Sequence, residues 1–298
     1  MEFAVALVSP FFLPRIPAMT PALRTTLIAG IQDGSIVPYL GCGVLADVRH
    51  TETGAAIPAD SDSLILAMNN GRPMSPKLMY EFPRAAMNVE LKRGRGAVTR
   101  FLDQVYSDSR WTRAAVHDWL RALRPPYVID VNRDTQLQDS YADTPHTLIV
   151  GVARISGDAT RFRLFAWDGS QYTPCDDLQP GLPILFKPMG TPRPAGAGYI
   201  ASDADYVDYI TELMGGLAIP PTLKTLRQGK RYLLMGLRLN RDTERMVMAD
   251  IIYAADPAPG WVLISEPTAK EERFCARLGL EIVQADLHAL MNDTAVAA

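Results

Sequence analysis

The stretch "SIVPYLGCGV", residues 35–44, decides how the chain is read. Its apolar run, 36–40, is short and bounded by turn residues, which suits a strand buried on both faces, as in a parallel sheet. The run leads directly into Gly41-Cys42-Gly43. Two glycines past a buried strand permit positive φ and close approach of the main chain. They mark either a tight turn or a cradle whose backbone N–H groups face a phosphate. The third glycine of the dinucleotide fingerprint is missing.

Upstream, Thr20 before Pro21 is an N-cap and first-turn pair. Leu23, Leu27, Ile28 and Ile31 then recur at helical spacing until Asp33-Gly34 stops the helix. Residues 1–19 read as an irregular apolar arm: Glu2 stands where a signal peptide carries a basic residue, and Pro10, Pro14 and Pro17 interrupt the run. Downstream, 46–124 reads as a mainly helical insertion, with helix patterns near 63–68, 83–91, 97–106 and 112–123. Further strands are expected at 127–131, 182–186, 231–237, 261–265 and 281–283, with helices at 203–214, 241–254 and 269–278. A hairpin over 147–155 and 161–167 is joined by Ser156-Gly157-Asp158. Strands alternating with helices predict an α/β fold: a Rossmann-like, doubly wound, mainly parallel sheet in a single domain over 20–298.

The 298 residues are enough for a large buried core, and 48% hydrophobic and 21% charged residues with a net charge of −3 describe an ordinary globular chain. That balance argues against nucleic acid as a partner. No run reaches the ~18 apolar residues of a membrane span. Three separated cysteines, Cys42, Cys175 and Cys275, make neither a disulfide framework nor a CxxC metal site, so no metal and a reducing, cytoplasmic setting are expected. A protein partner or homo-oligomer stays open.

In a doubly wound sheet, ligands sit beyond the carboxyl ends of the strands. The residues placed there are Gly41, Cys42 and Gly43; Asn132, Arg133 and Asp134; Lys187, Met189 and Gly190; and Gly236 and Arg238. Asn132 and Asp134 have two readings. One is an Asx turn capping the next helix; the other is an amide and a carboxylate that hold a ribose hydroxyl and a carboxamide. Cys42 is either a small turn residue or a thiol of lowered pKa. Glu244 and Arg245 read as a helix-surface pair.

The ordered set resembles the sirtuin family, in particular bacterial sirtuin-like domains without a zinc module. Gly41-Cys42-Gly43-Val44-Leu45 is similar to Gly-Ala-Gly-x-Ser, and Asp130-Val131-Asn132-Arg133-Asp134 to Thr-Gln-Asn-Ile-Asp. Lys187-Pro188-Met189-Gly190 is similar to Lys-Leu-His-Gly, Ser202-Asp203-Ala204-Asp205-Tyr206 to Thr-x-x-Asp-Tyr, and Gly236-Leu237-Arg238-Leu239 to Gly-Tyr-Ser-Leu. The closing "FCARLGLEIVQADLHALM" also looks like the family's last helix and strand.

The resemblance implies binding of NAD or ADP-ribose and cleavage of the nicotinamide–ribose bond. It gives the glycine loop to the pyrophosphate, Asn132 to the nicotinamide ribose and Asp134 to the carboxamide. Arg238 stands at a family serine near the adenosine ribose, where it pairs with a phosphate or obstructs the site. Met189 stands at the family's catalytic histidine, and a thioether takes up no proton near neutral pH. Of the four histidines, His50 is nearest to the glycines along the chain; His117, His146 and His288 lie farther off. Three readings follow: a nucleotide binder with weakened or lost catalysis; an NAD glycohydrolase with Asn132 and Asp134 as its catalytic residues, using another base or plain electrostatic stabilisation by the negative charge of Asp134; and a scaffold that keeps only the fold.

Overall fold

The computed structural model describes residues 16–155 and 159–292. Most of the expected N-terminal arm and the hairpin turn at 156–158 lie outside the described residues. Among the described residues a nine-stranded sheet runs in the order β11-β10-β9-β1-β2-β6-β3-β4-β5. Its strands are β1 Ile36–Leu40, β2 Tyr127–Asp130, β3 His146–Gly151, β4 Phe162–Trp167, β5 Tyr172–Pro174, β6 Ile184–Lys187, β9 Arg231–Met235, β10 Gly260–Leu263 and β11 Leu280–Val283. A separate two-stranded sheet pairs β7 Gly190–Thr191 with β8 Gly198–Tyr199. All pairings from β11 across to β3 are parallel; β4 and β5 add an antiparallel edge.

The central strand is the one expected. All five residues of β1 are buried, and they alternate between two cores. Ile36 and Leu40 join the core that holds Leu27, Leu120, Leu148 and Leu233. Val37 and Tyr39 join the one that holds Tyr209, Met248, Phe274 and Leu234. A strand covered on both faces has to be apolar at every position, which is why this run lacks the polar alternation of a half-exposed strand. Pro38 interrupts a central strand without breaking it. Leu40 O accepts from Val131 N–H on the β2 side. By alternation the Pro38 nitrogen faces that side too, and the β1–β2 ladder begins only at Tyr39↔Ile129.

The first core lies under α1 Pro21–Asp33 and α5 Ala115–Leu123, with α2 Ser61–Met68, α3 Phe82–Arg93 and α4 Arg95–Tyr106 packed beside them. The second lies under α7 Asp203–Gly215, α8 Pro221–Leu226, α9 Asp242–Ile251 and α10 Ala269–Leu278. Thr20 caps α1 as its sequence predicts, accepting from Leu23 N–H. The four helix patterns within 46–124 appear as α2 to α5, between β1 and β2. Short α6 Gln136–Ser140, together with β5, β7 and β8, had no sequence signal long enough to show periodicity. The last helix among the described residues is the short α11 Leu287–Met291. Among the described residues no helix is long and apolar enough to cross a membrane.

The order places a topological switch beside β1: the chain leaves it toward β2 on one side and later returns to its other side as β9. A crevice past the carboxyl ends is expected at that point.

Candidate functional site

The glycines of the first loop pack against the loop that follows β9. Gly41 N–H donates to Met235 O at 2.8 Å and Gly43 N–H to Gly236 O at 2.8 Å. A Cβ on Gly43 would lie 2.9 Å from Gly236 Cα, and one on Gly236, whose φ is +67°, would lie 2.5 Å from Val44 N. The two loops approach backbone to backbone because neither carries side chains there. This corrects the phosphate-cradle reading: the amides of Gly41 and Gly43 are already engaged, and close loop contact is what requires these residues.

Past β2, the side chains bind three strand ends together. Asp130 Oδ2 accepts from Lys187 Nζ at 2.7 Å, an ion pair buried completely on both sides. Asp130 Oδ1 accepts from the Asn132 N–H at 3.0 Å and from Asn132 Nδ2 at 2.8 Å, and Nδ2 also donates to Gly41 O at 3.0 Å. Both amide hydrogens of Asn132 are thus spent on the fold, leaving its Oδ1 for a ligand. Arg133, to which the sequence assigned no specific role, is buried. Its Nε and Nη2 donate to Ile200 O, Nη2 reaches Tyr206 OH at 3.0 Å, and the guanidinium lies over the Phe82 ring.

Asp134 takes the Asx-turn reading. Its Oδ1 accepts from Gln136 N–H at 2.7 Å at the start of α6. It lines a neighbouring cavity with Trp111, Gln136 and Arg193 rather than the crevice. Burial, first of all, raises its pKa, with Lys187 acting against the shift. Gly190 is also outside the crevice lining; it pairs with Tyr199, and its φ of +91° and a Cβ position 2.2 Å from Gly198 O account for the glycine.

The crevice itself brings together Tyr39, Cys42, Asn132, Met189, Arg238 and Glu244, with Arg133 among its other lining residues, around about 570 Å³ of space counted with its open mouth. Cys42 and Asn132 come from the ends of β1 and β2, Met189 from the turn after β6, and Arg238 from the loop after β9. No protein-family model matches the chain, and no curated protein does. An adjoining groove shares Cys42, Ala59, Arg238 and Glu244 and runs on past Asp60 and Arg241, so the space is elongated. On another flank of the glycine contact, Gly43 and Gly236 line a cavity with Ser265, Ala285 and His288.

Electrostatics separates the candidates. Burial, with Glu244 and Asp60 adding, pushes the Cys42 thiol up to about 12, so the lowered-pKa reading of Cys42 fails. Glu244 behaves differently. Burial pushes its carboxyl up to about 7, with Arg241 opposing and Glu81 and Asp60 adding, and its Oε2 is buried without a hydrogen-bond partner. This corrects the helix-surface reading of Glu244. The signal was present: it lies three and four residues before Val247 and Met248, on the buried stripe of α9.

None of the histidines lines the crevice. His50 serves a turn: Nδ1 accepts from the Glu52 and Thr53 N–H groups, Nε2 is 3.4 Å from Asp108 Oδ2, and the ring meets Trp111 edge-on. His146 sits between Thr144 O and Tyr172 OH, its pKa lowered by burial to about 4. His117 is fully buried in α5 with neither ring nitrogen partnered, and burial lowers its pKa.

A pH prediction follows from His117. Its folded pKa lies below the unfolded value of about 6.5, so below that pH the unfolded chain binds more protons and stability falls. His117→Leu is expected to remove this loss and gain up to about 2 kcal/mol over wild type at pH 5 relative to pH 8. Urea midpoints at the two pH values measure it; a gap that does not change with pH contradicts the assignment.

Among the described residues, no group of three or more His, Cys, Asp or Glu side chains is placed to hold a metal ion.

Proposed function

We propose that this chain is a sirtuin-like protein that binds NAD, ADP-ribose or a related nucleotide in the crevice beside β1, and that the family's histidine-dependent chemistry is lost at Met189. The observation that carries the reading is the meeting, at the switch point of the sheet, of Cys42, Asn132, Met189 and Arg238 from four strand ends that the resemblance sets side by side. In this reading α2 to α5 form the family's insertion, and the domain is Rossmann-like.

The residues present fit a nucleotide diphosphate in part. Arg238 is exposed on the lining shared by the crevice and the adjoining groove, which supports assigning its guanidinium to a phosphate. Arg133 adds positive charge, Asn132 offers a carbonyl oxygen to a ribose hydroxyl, and Tyr39, Val131 and Leu237 supply apolar wall. The charge that the glycine amides do not provide is thereby assigned to arginine. Asp134 lines the neighbouring cavity, so this reading gives it no contact with the carboxamide. The free thiols of Cys42, Cys175 and Cys275 support a reducing, cytoplasmic setting.

Calorimetric titration with NAD and with ADP-ribose tests the reading. A saturable heat is expected, and Arg238→Ala is expected to weaken binding by about 10–100-fold, the worth of a charged hydrogen bond. A flat trace for the wild type sinks the nucleotide reading and leaves the scaffold; unchanged affinity in the variant removes Arg238 from the phosphate site.

A further inference from the structure

Glu244 is a carboxyl in the crevice that the binding reading does not use. It enters from the first turn of α9, while Met189 enters from the turn after β6. Its unpartnered, buried Oε2 is a cost to the fold unless something in the cavity donates to it. The charged groups that act on it are Asp60 at the start of α2, Glu81 at the start of α3, Arg133 past β2 and Arg241 at the start of α9. Glu244 in turn acts on Cys42, Tyr39 and Tyr206 across the same space.

We propose that Glu244 is the proton acceptor for a water molecule that hydrolyses the N-glycosidic bond of a nucleotide held in this crevice, an assignment that rests on the nucleotide-binding reading above. With NAD as substrate, the water oxygen bonds to C1′ of the nicotinamide ribose. The C1′–N bond breaks, and its electron pair goes to the departing nicotinamide, which leaves neutral. One water proton passes to the Glu244 carboxylate and from there to solvent, and ADP-ribose is the other product. Such a reaction passes through an oxocarbenium-like state, so an ionised carboxylate in the crevice also stabilises the developing positive charge. A carboxyl held at about 7 exchanges protons near neutral pH, which the thioether of Met189 cannot do.

The test uses the purified full chain with NAD, following free nicotinamide by chromatography and binding by calorimetry under the same conditions. The wild type is expected to release nicotinamide with a kcat that rises with pH through a limb near 7. Glu244→Gln is expected to bind NAD, lose about 10²–10⁴-fold in kcat and lose the limb. Glu244→Asp, which keeps a carboxyl, is expected to keep a titrating limb. A wild type that binds NAD and releases no nicotinamide overturns this inference and leaves the binding reading standing, and so does a Gln variant that cleaves at the wild-type rate. A Gln variant that loses the NAD heat makes Glu244 a binding residue and overturns the catalytic role. No NAD heat from the wild type overturns both.

Discussion

Lys187→Met is expected to cost about 3–5 kcal/mol of folding stability, because it leaves the fully buried Asp130 carboxylate without its counter-charge. Asp130 keeps the two donors of Asn132, but hydrogen bonds from a neutral amide and a backbone N–H do not replace an ammonium group 2.7 Å away. The effect reaches the crevice as well. Asp130 positions Asn132, and Asn132 in turn holds Gly41 O, so the strand ends of β1, β2 and β6 loosen together. The double variant Asp130→Asn with Lys187→Met removes both charges while keeping an acceptor for Asn132, and it is expected to be more stable than Lys187→Met alone. Denaturant unfolding of wild type, both single variants and the double variant measures the coupling. A loss below about 1 kcal/mol for Lys187→Met is what an exposed pair would give, and it contradicts the burial.

Gly236→Ala is the second large effect. Its φ of +67° disfavours any Cβ by about 1–2 kcal/mol. The added methyl would also meet Val44 N at 2.5 Å and Gly43 C at 2.8 Å, backbone atoms that cannot rotate away, for an overpacking cost of about 1–3 kcal/mol more. Gly229 provides the control, with a φ of +66° and nothing within 4 Å of its Cβ position. Gly229→Ala is expected to show the backbone cost alone, about 1–2 kcal/mol. The difference between the two losses measures how tightly the loops after β1 and β9 are pressed together. Equal losses would mean that the contact between Gly236 and the glycine loop yields easily, and that the crevice wall is soft.

Much of the fold was legible because burial leaves a local pattern. β1 could be placed from five apolar residues between turn signals, and α1 from a Thr-Pro start and a Gly stop, because each pattern is set by neighbours in the chain. The site was legible only as a set of loops. Sequence reasoning brought Cys42, Asn132, Met189 and Arg238 to one crevice, since all follow parallel strands of one sheet. It misjudged Gly190 and Glu244, and it left the two readings of Asp134 for the structure to decide, because the direction of a side chain beyond a strand end is not periodic.

The chain's own pattern therefore determined the alternation of strands and helices, the doubly covered central strand, and the turns past β1 and β9. Tertiary structure alone decided what those residues do. The Asn132 amide is claimed by Gly41 O, 91 residues away, and the Asp130 carboxylate by Lys187, 57 residues away. The Gly43 amide is claimed by Gly236 O. Hydrogen-bonding capacity is finite, and a donor spent on a distant partner is lost to a ligand. No spacing along the chain records which donors are spent, and none places the one unpartnered carboxylate oxygen of Glu244 in the crevice.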